Sequence, residues 1–453
     1  MTALHFTDKG AVDRDAYMIR TVRDCIKGAQ HIKQNGKTYV PKGEAMQVQD
    51  FAAYVERGSW CGTPEATVRD LLGIALRQHP RVVVPELLKP MLAKATWDGD
   101  NFFQLIETTV KELLSVGRIG LWLDYATPEA AITDTPVVHV FMAEEIEAPD
   151  WTTGADGMRQ ITKVVLATDR VDVNQHQIKV KLYLDEEGVY TVDHFVEDLK
   201  TGDTRTTKTV QPTARGKTMG AIPFVLPHTG GLGPVPDVAP PLYPICDLAI
   251  ARFRNSCDLE VALHMTCSPT AIVVGDGKNG QVNRTVGAGQ VWELRDGSQA
   301  YFLEPGLHAI NHVKTALDDK LDQMRMLGAR LMTRGISRNE SYETAAMNQR
   351  GHDSMLVIAI RSAEAALQRI LEWANDWQGN TDPVKIELHK DFVAAMMTPQ
   401  QIQAQFSLYQ AGAISWETFY LNLQRGEIAR PEVSADEERQ AIADDGRPLT
   451  GIM

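Results

Sequence analysis

Two glycine-rich stretches in this chain carry the residue types that hold phosphate. GDGKNG at 275–280 is a literal GxGxxG after the strand-like TAIVV, and a dinucleotide fingerprint needs its third glycine to open a helix whose N-terminus faces pyrophosphate. QVNRTVGAGQVWEL follows instead, with two more glycines and strand-forming residues, so a hairpin turn is expected. Gly216-Lys217-Thr218 matches the end of a P-loop, but Gln211 stands where the first glycine belongs and Pro223 bars the helix that must follow. The histidines form no HExxH, and His308 and His312, four apart, have no third ligand in view, so no metal is expected. His352-Asp353 has the types of an orienting pair without a nameable nucleophile, and Ser337 with Glu340 has capping-box spacing. These residues point to no active site, no cofactor and no enzyme.

Bulk properties narrow the classes further. A formal net charge of −13 works against a tight nonspecific hold on nucleic acid, because that hold comes from Lys and Arg neutralising phosphates. If this protein meets DNA, it meets it without gripping. The longest clean apolar run, MLVIAI at 355–360, is far short of the ~18 residues of a membrane span. MTALHFTDKG lacks the basic and then apolar regions of a secretory signal. The expectation is a protein made and kept in cytoplasm, with no membrane partner. Cysteines 25, 61, 246, 257 and 267 form no CxxC and are odd in number, which reads as reduced thiols.

The elements that must position any site change character along the chain. To about residue 125 the pattern is helical: a helix from about Asp15 to Gly28, another with an N-cap signal at Thr63-Pro64-Glu65-Ala66, and a third from about Asn101 to Ser115 with Leu105, Ile106, Val110, Leu113 and Leu114 at helical spacing. IGLWLDY (119–125) reads as a buried strand. Between 136 and 225 the period shortens to two in VVHVFM, ITKVVLA, IKVKLYL and VYTVDHFV, predicting a mostly antiparallel sheet. GGLGPVPDVAPP (230–241) is a rigid connector. Beyond it the sequence predicts a helix of about 25 residues, a small β unit over 268–308 with strands at TAIVVG and QVWELRD, and a second helix. In that second helix Val313, Leu317, Leu321, Met324, Leu327 and Leu331 form one apolar seam. After the polar stretch TRGISRNES a helix is expected from about Tyr342 to Trp377, roughly 50 Å at ~1.5 Å per residue. A strand at Pro383 to Leu388 and a helical tail from Thr398 complete the chain. The class is α+β.

That order of elements resembles a phage portal protein. The wording is nearer to one portal-like group, long carried as a domain of unknown function among podovirus and siphovirus portals. The matching pieces are VGRIGLWLDY (116–125), EEIEAPDW (144–151), IPFV (222–225), APPLYPICDLAIARFRNSCDLEVALHMTCSPTAIVVG (239–275), DQMRMLGARLM (322–332) and ETAAM (343–347). They span about residues 116–378, and their number and order carry the resemblance, since none is a catalytic signature.

The resemblance implies a portal fold. Its wing would be 1–238, first stem helix 239–267, clip 268–308, second stem helix 309–331, tunnel loop 332–342, long helix and wing strand 343–397, and helical crown 398–453. It implies a homo-oligomeric ring, usually of twelve, at one capsid vertex of a virion. Double-stranded DNA would pass through it without sequence specificity, during packaging by the terminase large subunit and during ejection. Major capsid protein, a scaffold and head-tail adaptor or tail proteins would be the other partners. Thr333, Arg334, Ser337, Arg338, Asn339 and Glu340 would then face the channel, although a water-facing corner between two helices suits the same residues. The seam Leu317, Leu321, Met324, Leu327 and Leu331 would serve the stem, and Asp276, Lys278, Asn279, Arg284, Arg295 and Asp296 would dock partners at the clip by position. Another head-completion or tail protein, and a nucleotide-using enzyme, are the alternative readings.

Overall fold

The computed structural model describes residues 10–44, 46–125, 135–147, 149–153, 157, 159–171, 176–198, 201, 203–235, 238–267, 270–274, 297, 299–303, 307–332, 354–390, 399–425, 428–430 and 433–444. The first section is helical, with α1 (Gly10–Lys27), α2 (Ala29–Gln34), α3 (Gly36–Tyr39), α4 (Val48–Arg57) and α5 (Thr63–Ala75). Strand β1 (Arg81–Val83), α6 (Lys89–Ala93) and α7 (Phe102–Ser115) follow. Helix α7 starts at a capping box, the Asn101 side chain accepting from the Gln104 amide and the Gln104 side chain from the Asn101 amide, both at 2.9 Å. At α5 the sequence reading needs correction. Thr63 is the first helical residue and not the cap, because Gly62 in the left-handed region (φ 63) already turns the chain into the helix.

The β section has two layers. Strand β2 (Gly120–Asp124) pairs with β3 (Val137–Phe141), and β4 (Asp150–Thr153), β5 (Arg159–Val171), β6 (His176–Leu184), β7 (Tyr190–Asp198) and β8 (Thr204–Val210) form an antiparallel meander in sequence order. Two-residue alternation decides its faces. Val164, Leu166, Val180 and Leu182 are buried against Trp122 and Phe141 of the smaller sheet. On the outer face the Lys179 ammonium lies 2.7 Å from Glu147 and 2.5 Å from Glu197. Strands β9 (Thr213–Ala214) and β10 (Lys217–Thr218) flank a tight turn at Arg215 and Gly216, both at positive φ. The Gly-Lys-Thr triplet therefore sits on a hairpin of the type those dihedrals produce. Strand β11 (Phe224–Val225) pairs with the other edge of β2.

Asp124 ends β2 half-buried, its carboxylate accepting from the Tyr125 amide at 2.8 Å. Burial raises its pKa to about 6, against the lowering effect of that backbone bond. A carboxyl raised on folding favours the native state while protonated, and its contribution is lost as pH rises from the unfolded value of about 4 through the folded one. Asp124→Asn keeps the acceptor and removes the charge. It should stabilise the protein by about 1–3 kcal/mol at pH 7.5 and leave it unchanged at pH 4, as read by urea melts at the two pH values.

The third section contains α8 (Tyr243–Cys267), β12 (Thr270–Val274), β13 (Gln299–Leu303), α9 (Leu307–Met332), α10 (Met355–Gln378), β14 (Lys385–Glu387), α11 (Pro399–Gln410), α12 (Trp416–Arg425) and α13 (Ala435–Asp444). Helix α10 starts later than the sequence reading placed it. Ser354 has extended backbone and its hydroxyl accepts from the Val357 amide at 3.3 Å, so it caps a helix of 24 residues, about 36 Å long. His352 and Asp353 lie outside the described residues. Leu356, Ala359, Ile360, Ala363, Leu367 and Ile370 face a central core shared with α5, α7 and β2, the alanines permitting close helix approach. Polar side chains of α10 also hold β14: Gln368 donates to the Val384 carbonyl at 2.9 Å and accepts from the Ile386 amide at 3.0 Å. Strand β14 in turn pairs antiparallel with β1. At the tail, Tyr409 stacks on Phe419 with centroids 5.1 Å apart and joins α11 to α12.

Candidate functional site

Helices α8 and α9 pack side by side, and strands β12 and β13 pair antiparallel from Thr270 opposite Leu303 to Val274 opposite Gln299. The ribbon's second strand is Gln299–Leu303, whereas QVWELRD lies outside the described residues. The first half of α8 is rooted in the protein. Ile245, Ala249, Ile250, Phe253 and Cys257 are buried against α1 and α4. Polar groups, buried Ser256 among them, lock this root in place. The Ser256 hydroxyl accepts from the Ser59 amide at 3.0 Å, Arg254 donates to the Tyr39 carbonyl at 2.5 Å, and Tyr54 donates to Asp258 at 2.7 Å.

Gly58 makes the close approach possible, since a Cβ there would overlap Cys257 Sγ and lie 2.7 Å from Phe253 Cε2. Gly58→Ala should therefore cost about 1–3 kcal/mol through overpacking. A urea midpoint equal to that of the parent chain would show that the root can give way.

Beyond Cys257 the character changes. None of Asp258–His264 or Ile310–Ala316 belongs to any of the three buried clusters that hold the protein together. Two helices and a two-stranded ribbon thus leave the body and pack on each other, with Ile310 and Leu317 buried. Ten residues of α8 beyond Cys257 add about 15 Å of helix at ~1.5 Å per residue.

The seam residues are placed by the same geometry. Met324 is fully buried in the cluster around α8, Leu321, Leu327 and Leu331 pack against that cluster half-buried, and Leu317 is buried higher up. The seam is used within the chain, holding α9 onto α8 and the body. The outer face of α9 carries Asp318, Asp319, Asp322 and Arg325, all exposed, with Met326 at 58% exposure among them. Thr333, Arg334, Ser337, Arg338, Asn339 and Glu340 lie outside the described residues, as do Asp276, Lys278, Asn279, Arg284, Arg295 and Asp296. His312 is exposed on α9.

A second feature escaped the sequence reading. Beside α1 lies a cleft of about 590 Å³. Arg23 on its wall donates to both oxygens of Glu112 at 2.7 Å, and to both oxygens of Glu144 at 2.9 and 3.0 Å. Burial works against the Arg23 charge, but the two carboxylates win and raise its pKa; burial likewise opposes Glu144, and Arg23 pulls it below its ordinary value. Asp24 accepts from Tyr39 at 2.5 Å and lies 2.8 Å from the His31 ring nitrogen, and Arg118 pairs with Asp15 at 2.5 Å. These carboxylates are all engaged within the chain, so the cleft is a clasp joining α1 to α7 and to the turn before β4.

Comparison with known proteins adds three findings. Residues 241–378 match a family described as a domain of unknown function, DUF4055. That stretch runs from the start of α8 to the last residue of α10, so it takes in the projection and the helix that returns to the core. No curated protein matches the sequence. Among solved structures the chain is similar to one from the neck of a native GTA particle computed with C12 symmetry, at 12% identity over 87% of this chain and 99% of that one, with a TM-score of 0.43. It is also similar to one from the neck of an empty GTA particle computed with C6 symmetry, at 13% identity over 86% and 97% and a TM-score of 0.42.

Proposed function

We propose that this chain is a structural subunit of a phage head-tail connector, a portal ring at one vertex of the capsid. One observation carries the reading: helices α8 and α9 run on past their buried root and stay packed on each other, while none of Asp258–His264 or Ile310–Ala316 belongs to the buried clusters of the body. A two-stranded ribbon is marginal alone in water, and two helices in isolation bury too little to hold a fixed pose. Such a projection becomes a rigid structure when copies stand side by side around a closed ring, each covering the next. The resemblance of 116–378 to portals, with a first helix, β unit and second helix in that order, supports the same arrangement.

In this reading twelve chains surround a channel for double-stranded DNA, which the terminase large subunit drives inward and which later leaves through the tail. At −13 per chain the ring repels DNA rather than holding it, which suits a conduit through which DNA must slide. The projection meets terminase and adaptor proteins at its tip, and the body meets the capsid protein and scaffold. The stretch with Arg334, Arg338 and Asn339 faces the DNA. Removing Ser337 to Glu340 should leave rings intact and impair packaging or DNA retention; normal packaging would end the channel role for that stretch.

The ring is tested first by mass photometry with negative-stain class averages of the purified protein. A hollow ring near twelve chains is expected. A stable monomer or dimer overturns the proposal, and a fibrous or solid bundle favours another virion component.

A further inference from the structure

The turn that follows β11 is built around a buried histidine. His228 is 2% exposed, its Nδ1 lying 2.9 Å from the Gly230 amide and its Nε2 2.9 Å from the Gly233 carbonyl. Those partners fix the state of the ring. A backbone N–H only donates and a carbonyl only accepts, so the imidazole that fits is the neutral one with its hydrogen on Nε2. The backbone closes the same turn, His228 and Gly231 each donating to the other's carbonyl at 2.9 Å.

This turn is a junction. The Ser362 hydroxyl of α10 donates to the His228 carbonyl at 2.9 Å and lies 3.2 Å from that of Gly231. The Thr229 amide donates to the Gly117 carbonyl at 3.1 Å and the Ile119 amide to the Pro227 carbonyl at 3.2 Å, which ties the turn to the entry of β2. From here the chain runs on to α8, so one imidazole stands where α10, β2 and the lead into α8 are joined.

A proton on that ring has no place in the closed turn. A hydrogen on Nδ1 would face the Gly230 N–H, donor against donor, in a site away from water. Among the described residues lining the small pocket beside the ring, Arg118 alone is charged, and its guanidinium is paired with Asp15 of α1 at 2.5 Å. From α10 the group that meets the turn is the neutral Ser362 hydroxyl. Burial first, and then Arg118, lower the His228 pKa, against the raising effect of the bond to Gly233. Little apolar burial holds the turn shut: of residues 229–233, Leu232 packs against a buried cluster, and it is half-buried.

We propose that His228 is an acid-sensitive latch: proton uptake opens the turn over 228–233, detaches it from Ser362 and Gly117, and frees the lead into α8 while the body stays folded. The latch belongs to the single chain and does not depend on the ring. The open turn gives the imidazole to water, where it binds a proton at its ordinary value of about 6.5, whereas the closed turn binds it only at a lower one. The closed form is therefore at full strength above the ordinary value and loses ground as pH falls from there through the folded one.

Hydrogen exchange of the full chain tests this, read by mass spectrometry at pH 7.5 and pH 5.5 with each rate corrected for the intrinsic pH dependence of amide exchange. Opening at the Thr229, Gly230 and Gly231 amides should rise about fivefold or more at the lower pH, while peptides of α7 and β6 keep their protection. His228→Asn is the matched variant: its amide oxygen replaces Nδ1 as acceptor and it binds no proton in this range, so its turn should open equally at both pH values. His228→Gln, whose longer amide reaches for the Gly233 carbonyl, is a second variant on the same terms. Equal opening of the parent turn at the two pH values overturns the latch. A variant that keeps the fivefold rise also overturns it, since another group then drives the opening. So does a parent whose α7 and β6 peptides loosen in step with the turn, since that is acid unfolding of the whole body.

Discussion

Replacing Arg23 by alanine should destabilise the chain by about 3–5 kcal/mol, because it strands a buried carboxylate. Glu112 is 4% exposed and its two oxygens are both taken by the Arg23 guanidinium. Without that partner its charge stays in a site water does not reach, or it takes up a proton. The ion cluster itself need not be stabilising. Removing both partners, as in Arg23→Met with Glu112→Leu, should recover most of the loss, since paired charges pay a desolvation cost that apolar groups avoid. Urea melts of the three proteins check this, and a single variant within about 0.5 kcal/mol of the parent would sink it. The effect has a pH dependence through Glu144, whose pKa is depressed by Arg23. Its share of the stability is present above the unfolded carboxylate value and is lost as pH falls through the lower folded one, so the gap between parent and variant should narrow in acid.

Excising Leu259 to Ala316 and joining the ends with a short Gly-Ser turn should abolish ring formation and leave the body folded. Of the excised stretch, Leu259–His264 and Ile310–Ala316 contribute no member to the three buried clusters, while Phe253, Cys257 and Met324 at the root remain in theirs. The expected product is a monomer with near-parent near-UV circular dichroism and a cooperative melt. If the shortened chain still forms rings, assembly is carried by the body and the projection has another purpose. If it unfolds, the projection is part of the fold after all.

The sequence made some of this legible and hid the rest for identifiable reasons. Alternation showed β5, β6 and β7, because one face of each is buried and the other wet. The seam on α9 was visible as a period, yet a period cannot say what covers it. In the structure α8 and the body cover that face. Ser354 escaped notice as a cap since no acidic residue stands three positions on, where Val357 is found. The Arg23 clasp was beyond reach. Its partners Glu112 and Glu144 are 89 and 121 residues away, and each alone looks like an ordinary surface charge. The pairing of β1 with β14 is of the same kind, three residues at each end carrying no mark of the other.

That last pairing sets a timetable. Strand β1 waits for β14, and the central core waits for α10, so the body cannot close until the ribosome has passed Glu387. About 300 residues separate the two strands, some 15–60 s of synthesis at ~5–20 residues per second. The projection is made within that interval, and for the last roughly 70 residues, about 4–14 s at the same rate, it exists without a finished base. A newborn subunit therefore shows neighbours its tip before it has a body to offer them, and a cell that makes many copies at once must keep those tips apart until each chain is complete.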